Sequence, residues 1–323
     1  MGHTLIAVAD SPFPNLDLAQ NVLSELDAEI VMAREPTVEE ILAVAAKADG
    51  LMVTYGQITS KVIAGMKNCK VIGRIGLGVD NIDIEAATKA GIAVVYVPDY
   101  CIDEVSDHAM AMLLNLIRKI SYSNQLVQAG HWEMPAVTPL LRLRGRVLGL
   151  AGFGQIPRAV VPKAQAFGLK VVAFDPFVDK DLAKTMDVEL VDFETLLGTS
   201  DYISVHVPMM PETKGMFGEY AFKKMKETAI FINTARGPLV DIDALASALD
   251  GGHIAAAALD VVPVEPPPDD FPLIGRDNVI LSPHTAFYSV EALDELQTKA
   301  ARGVADVLQG RMPAYPINPK VIR

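Results

Sequence analysis

Apolar positions along the first hundred residues come in short runs broken by polar turns. Residues 4–8 form one such run, which stops at Asp10-Ser11-Pro12 and suits a buried parallel strand. The pattern repeats at Glu29–Ala33, Gly50–Thr54, Lys70–Ile75 and Ala93–Tyr96, with helical spacing over Val38–Ala48 and Ile84–Ala90. Alternation of this kind predicts a parallel sheet covered by helices on both faces. One long helix is then expected from about Asp103 to Gly130, buried between domains or subunits because Ala109-Met110-Ala111-Met112-Leu113-Leu114 is almost continuously apolar. After Leu141-Arg142-Leu143-Arg144-Gly145 the alternation restarts. Val147–Ala151, a helix to Phe167 and Lys170–Phe174 make one βαβ unit. Further strands are read at Tyr202–His206, Ala229–Asn233, Ala256–Leu259 and Val279–Leu281, and a last helix at Val290–Leu308.

At 323 residues the chain is long for a single core and suggests two domains. Half of it is hydrophobic and 28 Lys and Arg face 40 Asp and Glu, a formal charge of −12 with no basic run. That argues against a nucleic-acid surface and requires a locally positive site for any anionic substrate. Only two cysteines occur, Cys69 and Cys101, and no Cys/His cluster has metal-ligand spacing, so a reduced cytoplasmic setting without disulfides or metal is expected. The first residues read as a strand and not a signal peptide, and no apolar stretch is long enough for a membrane span.

Gly152-Phe153-Gly154 follows a strand and opens a helix. The first glycine allows the tight bend, and the second lets backbone approach a pyrophosphate, which the amides from Gly154, Gln155 and Ile156 at the helix start would bind. Pro157 stands where a third glycine is usual. It is tolerated in a first helical turn, whereas Pro162 lies mid-helix and is expected to kink it. Asp175 ends the next strand, about 20 residues on, where an acid binds the adenosine ribose hydroxyls. Its charge would repel a 2′-phosphate, which favours NAD over NADP.

Arg236, in Asn233-Thr234-Ala235-Arg236-Gly237, follows a strand, and ligands of open α/β sheets bind at the strands' carboxyl ends. Arginine suits a carboxylate through two parallel hydrogen bonds, although a salt bridge is its commoner fate. His284, in Ser282-Pro283-His284, also follows a strand and titrates in the range needed to protonate a carbonyl oxygen. Glu265 could be the carboxylate that favours its imidazolium. His3, His108, His131, His206 and His253 each keep a structural reading.

These motifs resemble the D-isomer-specific 2-hydroxyacid dehydrogenase family over nearly the whole chain. Gly76-Leu77-Gly78-Val79-Asp80-Asn81-Ile82-Asp83 is similar to the family's substrate loop. The resemblance implies a flavodoxin-like substrate domain, 1–100 plus 290–323, a Rossmann NAD domain, 101–289, and a cleft between them that closes by a hinge. It implies that Arg236 and the Leu77 and Gly78 amides hold the substrate carboxylate, with Tyr55 and Tyr100 at the side-chain pocket. Asp260 would bind the nicotinamide carboxamide, and His206, Pro208, Thr213, Thr234 and Ala235 would line the cofactor site. The helix after Asp103 resembles the family's dimerisation arm, so a homodimer is expected. The activity implied is NAD-dependent interconversion of a 2-oxo acid and a D-2-hydroxy acid, of the glyoxylate or hydroxypyruvate reductase kind. Within the family, Thr285-Ala286-Phe287-Tyr288-Ser289 looks like the C-terminal-binding-protein branch, with Phe287 in place of that branch's tryptophan. The alternative is therefore an NADH-sensing interaction protein. A phosphoglycerate dehydrogenase fits less well, since the chain ends without room for a regulatory domain and shows no basic cluster for a phosphate. Glu265 likewise speaks against a formate dehydrogenase, which pairs its histidine with glutamine.

Overall fold

A computed structural model describes residues 3–322. The chain divides into two compact units, Met1–Cys101 with Ser289–Arg323, and Ile102–Tyr288. The first holds five strands, β1 (Thr4–Val8), β2 (Ala28–Met32), β3 (Gly50–Val53), β4 (Val71–Arg74) and β5 (Ala93–Val95), in the order β2-β1-β3-β4-β5. Every pair is parallel. The strands β3 and β5 are buried along their whole length, which is why they read as unbroken apolar runs and not as alternating ones. Ile41, Leu51, Ile58, Val62, Ile72 and Val94 fill the core between sheet and helices. Asp83 and Ser289 cap the helices Ile84–Lys89 and Val290–Leu308 by accepting from backbone amides three residues on.

The second unit holds β6 (Val147–Ala151), β7 (Lys170–Phe174), β8 (Glu189–Leu190), β9 (Tyr202–Val205), β10 (Ile230–Asn233), β11 (Ala256–Leu259) and β12 (Val279–Leu281). Their order is β12-β11-β10-β9-β6-β7-β8, again wholly parallel. The winding reverses between β6 and β9, the doubly wound arrangement in which ligands bind beyond the strands' carboxyl ends. One face is packed by Phe153, Val160, Leu148 and Met110, the other by Phe217, Phe222, Phe231 and Leu245. Phe174, Phe193, Phe217, Phe231 and Phe222 form a continuous aromatic ladder with centroids 5.0–5.6 Å apart. The fold class read from the sequence is thus the observed one.

The segment 103–130 is corrected. It is two helices, Ile102–Arg118 and Ile120–Gln128, separated by Lys119 in the left-handed region at φ 51°. Asn115 fixes the break, accepting from the Ser121 amide at 2.9 Å and donating to its hydroxyl at 2.7 Å. The first helix is amphipathic, burying Val105, Ala109, Met112, Leu113 and Ile117 along one stripe, and the second buries no residue. The apolar run hides this, because Ala111 is exposed and Leu114 only half-buried although both look like core residues. The helix Gln155–Ala166 carries Pro157 in its first turn, buried, and runs on past Pro162.

Candidate active site

β10 delivers Arg236. Asn233, at the end of that strand, accepts from the Ala235 amide at 2.9 Å and donates to the Arg236 carbonyl at 2.9 Å, so a local side-chain turn sets the arginine's backbone. Gly237 is pressed against Val262, and a Cβ there would lie 2.0 Å from the Val262 carbonyl carbon, so only glycine lets the two segments meet. The Arg236 side chain is half-buried and donates from Nη1 to the Ala235 carbonyl.

The segment after β11 delivers Glu265. Its Oε1 accepts from the Val262 amide at 3.1 Å, and its Oε2 lies 2.7 Å from His284 Nδ1. Burial opposes ionisation of Glu265, but the His284 hydrogen bond and charge, the Val262 amide and the Arg236 charge outweigh it and hold its pKa below the ordinary 4.5. His284 and Arg236 therefore both act on the Glu265 carboxylate. With Nδ1 on Glu265, Nε2 is the ring nitrogen from which a proton can leave.

His284 adopts φ 53°, uncommon for a residue with a side chain. Asp260 clamps this conformation. Its carbonyl accepts from the His284 amide at 2.8 Å, and its carboxylate accepts from the Thr285 and Ala286 amides, each at 2.9 Å. The Ser282 hydroxyl also donates to Asp260, so its one proton is spent. His108 Nε2, 3.0 Å from that hydroxyl, must then be the donor between them. Asp260 is 2 % exposed. Of the histidines read as structural, His108 is the one within reach of this clamp. No local pattern reveals a contact made across 174 positions.

The turn after β6 fits a dinucleotide. Gly152 sits at φ 99°, and a Cβ there would stand 2.9 Å from the His206 carbonyl carbon and oxygen beyond β9. Gly154, with open space around it, precedes a 12-residue helix whose first-turn amides, including those of Gln155 and Ile156, no side chain caps. Phe153 contributes backbone only. Its ring is wholly buried, and its amide donates to Asp175 Oδ2 at 2.9 Å, while Asp175 Oδ1 accepts from Phe177. The Thr213 hydroxyl donates to the Pro208 carbonyl at 2.7 Å and closes that loop. Thr234 is buried with a hydroxyl that has no partner, and Ala235 is half-buried beside it. His206 pairs with the Ser204 hydroxyl at 2.8 Å, and burial pushes its pKa down to about 3, so the ring is neutral. A strained glycine turn, an uncapped helix start and an orphan hydroxyl together are what a bound dinucleotide would satisfy. No group of three His, Cys, Asp or Glu that could hold a metal occurs among the described residues, and none of their helices is long and apolar enough to cross a membrane.

In the other unit, Gly76-Leu77-Gly78 follows β4, and the Gly76 carbonyl accepts from the Val97 amide at 3.0 Å. Leu77 is partly exposed, Tyr55 is exposed and Tyr100 is buried. Burial pushes the Tyr100 phenol pKa up, assisted by Cys101 and Tyr55 and opposed by Arg74, which places the two phenols in one neighbourhood. Cys69 and Cys101 are both buried and form no disulfide.

Residues 110–286 match the family described as D-isomer specific 2-hydroxyacid dehydrogenase, NAD binding domain. The chain is 40 % identical to the D-3-phosphoglycerate dehydrogenase of Archaeoglobus fulgidus over 88 % of its own length, and spans 54 % of that protein. It thus covers about half the length of such relatives. It is 37 % identical to the glyoxylate reductase of Thermofilum pendens, over 89 % of this chain and 86 % of that one. Its fold matches the D-lactate dehydrogenase of Aquifex aeolicus solved with NAD and lactic acid, with a TM-score of 0.90, 27 % identity and coverage of 98 % and 99 % of the two chains.

Proposed function

The chain belongs to the D-isomer specific 2-hydroxyacid dehydrogenase family, and on that premise we propose that it reduces a small 2-oxo acid to the D-2-hydroxy acid, and runs in reverse, with NAD as cofactor. The observation that carries the reading is the 2.7 Å contact of His284 with Glu265, on a carboxylate that also feels the Arg236 charge. Bound NADH would supply the hydride that arrives at carbon 2. The Arg236 guanidinium grips the substrate carboxylate and so orients the carbonyl. His284 Nε2 gives its proton to the carbonyl oxygen and becomes neutral, keeping its hydrogen bond to Glu265. In the reverse direction it takes that proton back, and ionised Glu265 stabilises the imidazolium formed. The turn residues Gly152, Gly154, Gln155 and Ile156 would hold the pyrophosphate, and Asp175 the ribose. Pro208, Thr213, Thr234, Ala235 and Asp260 would line the rest of the cofactor site, with Tyr55 and Tyr100 beside the substrate side chain.

The test is an NADH-oxidation panel of glyoxylate, hydroxypyruvate, pyruvate, bulkier 2-oxo acids and 3-phosphohydroxypyruvate. We expect turnover of glyoxylate or hydroxypyruvate. The phosphorylated acid belongs in the panel because phosphoglycerate dehydrogenases are among the relatives. NADH should exceed NADPH by about 100-fold in kcat/KM, because a 2′-phosphate would meet the Asp175 carboxylate. Silence on every acid, with NADH still bound, would return the chain to the NADH-sensing alternative.

We further propose a cytoplasmic homodimer. Trp132 is 84 % and Met134 75 % exposed, beside the helix Ile120–Gln128, which buries no residue, and a second copy is the partner that would cover them. Sedimentation should give about twice 34.7 kDa, and Trp132→Ser with Met134→Ser should shift it to the monomer. A monomeric native protein would reject the dimer.

A further inference from the structure

In the unit Met1–Cys101 with Ser289–Arg323 the winding reverses between β1 and β3. Beyond the carboxyl ends of those strands lie Asp10 on one side and Thr54-Tyr55-Gly56 on the other. This is the place in an open α/β sheet where ligand-binding segments gather. Three successive backbone amides here point at one carboxylate. Asp10 Oδ1 accepts from Thr54 and Gly56, each at 3.1 Å, and Oδ2 accepts from Tyr55 at 2.6 Å. The opposite edge of the same loop is held by Asn81, whose Nδ2 donates to the Thr54 carbonyl at 3.1 Å and the Gly56 carbonyl at 2.9 Å. Two backbone bonds continue the tie, Ile58 to the Asn81 carbonyl at 2.8 Å and Asp83 to the Ile58 carbonyl at 3.0 Å.

An ordinary aspartate turn binds amides two or three residues ahead. Asp10 instead reaches across 44 positions, so local turn formation does not account for it. Three convergent amides form an anion-binding concavity, and the chain fills it with its own side chain. With its donors committed to Asp10 and its acceptors to Asn81, the loop has little freedom left, and Tyr55 projects from it 54 % exposed. Asn81 belongs to the same segment as Leu77 and Gly78. One clasp therefore sets the geometry of both stretches.

We propose that Asp10 is a positioning residue for substrate binding: through three backbone amides it fixes the Tyr55 loop and, through Asn81, the Gly76–Asp83 segment. The inference rests on the reductase reading above, in which those two segments face the 2-oxo acid. Loss of the clasp is then felt in affinity for the acid and not for the dinucleotide, whose turn lies in the other unit.

The test uses Asp10→Ala, Asp10→Asn and Asn81→Ala in the full chain. Asp10→Ala should raise KM for the best 2-oxo acid about tenfold or more, with KM for NADH within about twofold of native. Asp10→Asn keeps one accepting oxygen and no charge, so it should fall between, and it serves alone if the alanine variant does not fold. Asn81→Ala should show the same selectivity. Hydrogen exchange at the Thr54, Tyr55 and Gly56 amides should speed up in Asp10→Ala or, failing that, in Asp10→Asn. Faster exchange with an unchanged KM for the acid would make the clasp merely structural and overturn the proposal, as would an equal rise in both KM values or unchanged exchange. If the native protein turns over no acid, the reductase reading fails by itself, and the comparison moves to binding of oxamate, an unreactive 2-oxo acid analogue. Weaker oxamate binding by the variants then supports positioning, and equal binding, or none by the native protein, overturns it.

Discussion

His284→Ala will lower kcat by about 10²–10⁴-fold, the range for removing a positioned general acid, while NADH binds as before. The reason is geometric. His284 Nδ1 is engaged by Glu265 at 2.7 Å, so Nε2 is the only ring position left to exchange a proton with substrate. In the proposed reading the dinucleotide is held by a separate set of residues around Gly152, which the substitution does not touch. Stopped-flow binding of NADH, followed by its fluorescence, and steady-state turnover separate the two effects. Near-native turnover would remove His284 from the mechanism. The companion variant Glu265→Gln keeps an acceptor for Nδ1 but no charge, so protonated imidazole loses its counter-ion. Its rate of 2-oxo acid reduction should therefore fall below that of the native protein. The stability of the fold depends on acidity through the same pair. Because the folded pKa of Glu265 is depressed, the pair stabilises the protein above the ordinary value of 4.5, and that contribution is lost as pH falls through the depressed value.

Arg236→Ala should cost about 10²–10³-fold in kcat/KM for every 2-oxo acid, since truncating one partner of a desolvated charge pair costs about 2–5 kcal/mol. The larger part is expected in KM. Arg236→Lys restores the charge but not the planar fork, so it should recover only a fraction. If lysine restores full activity, Arg236 acts as a point charge and does not orient the carboxylate. Arg236 also helps to hold Glu265 ionised, so its loss is expected to weaken proton transfer as well as binding, and double replacement with Glu265→Gln should be less than additive.

Much of this molecule can be read from residues in order. The interior strands are four or five mostly apolar residues ended by turn residues, and Val147–Ala151, Lys170–Phe174, Ala256–Leu259, Val279–Leu281 and the helix Val290–Leu308 lie where the periodicity puts them. The glycine turn was equally legible, because its chemistry is local to one strand-to-helix junction. Short helices such as Ser60–Gly65 and Glu219–Lys224 were not, since a single turn and a half carries too little period to detect. The break at Lys119 depends on an Asn115 side chain meeting Ser121, which hydrophobicity does not encode. Arg236, Glu265 and His284 stood out one by one, but the convergence of Arg236 and His284 on the Glu265 carboxylate is a property of the folded chain. Asp10 offered no signal at all. Its partners are supplied by a loop that reaches it only when β1 and β3 pair.

The left-handed backbone of His284 has an evolutionary corollary. A residue with a side chain costs roughly 1–2 kcal/mol in that conformation, a cost glycine largely escapes. Selection for heat resistance alone would thus drift toward glycine at 284, and the histidine endures there only under selection for what its ring does. Stability and activity pull this one position in opposite directions.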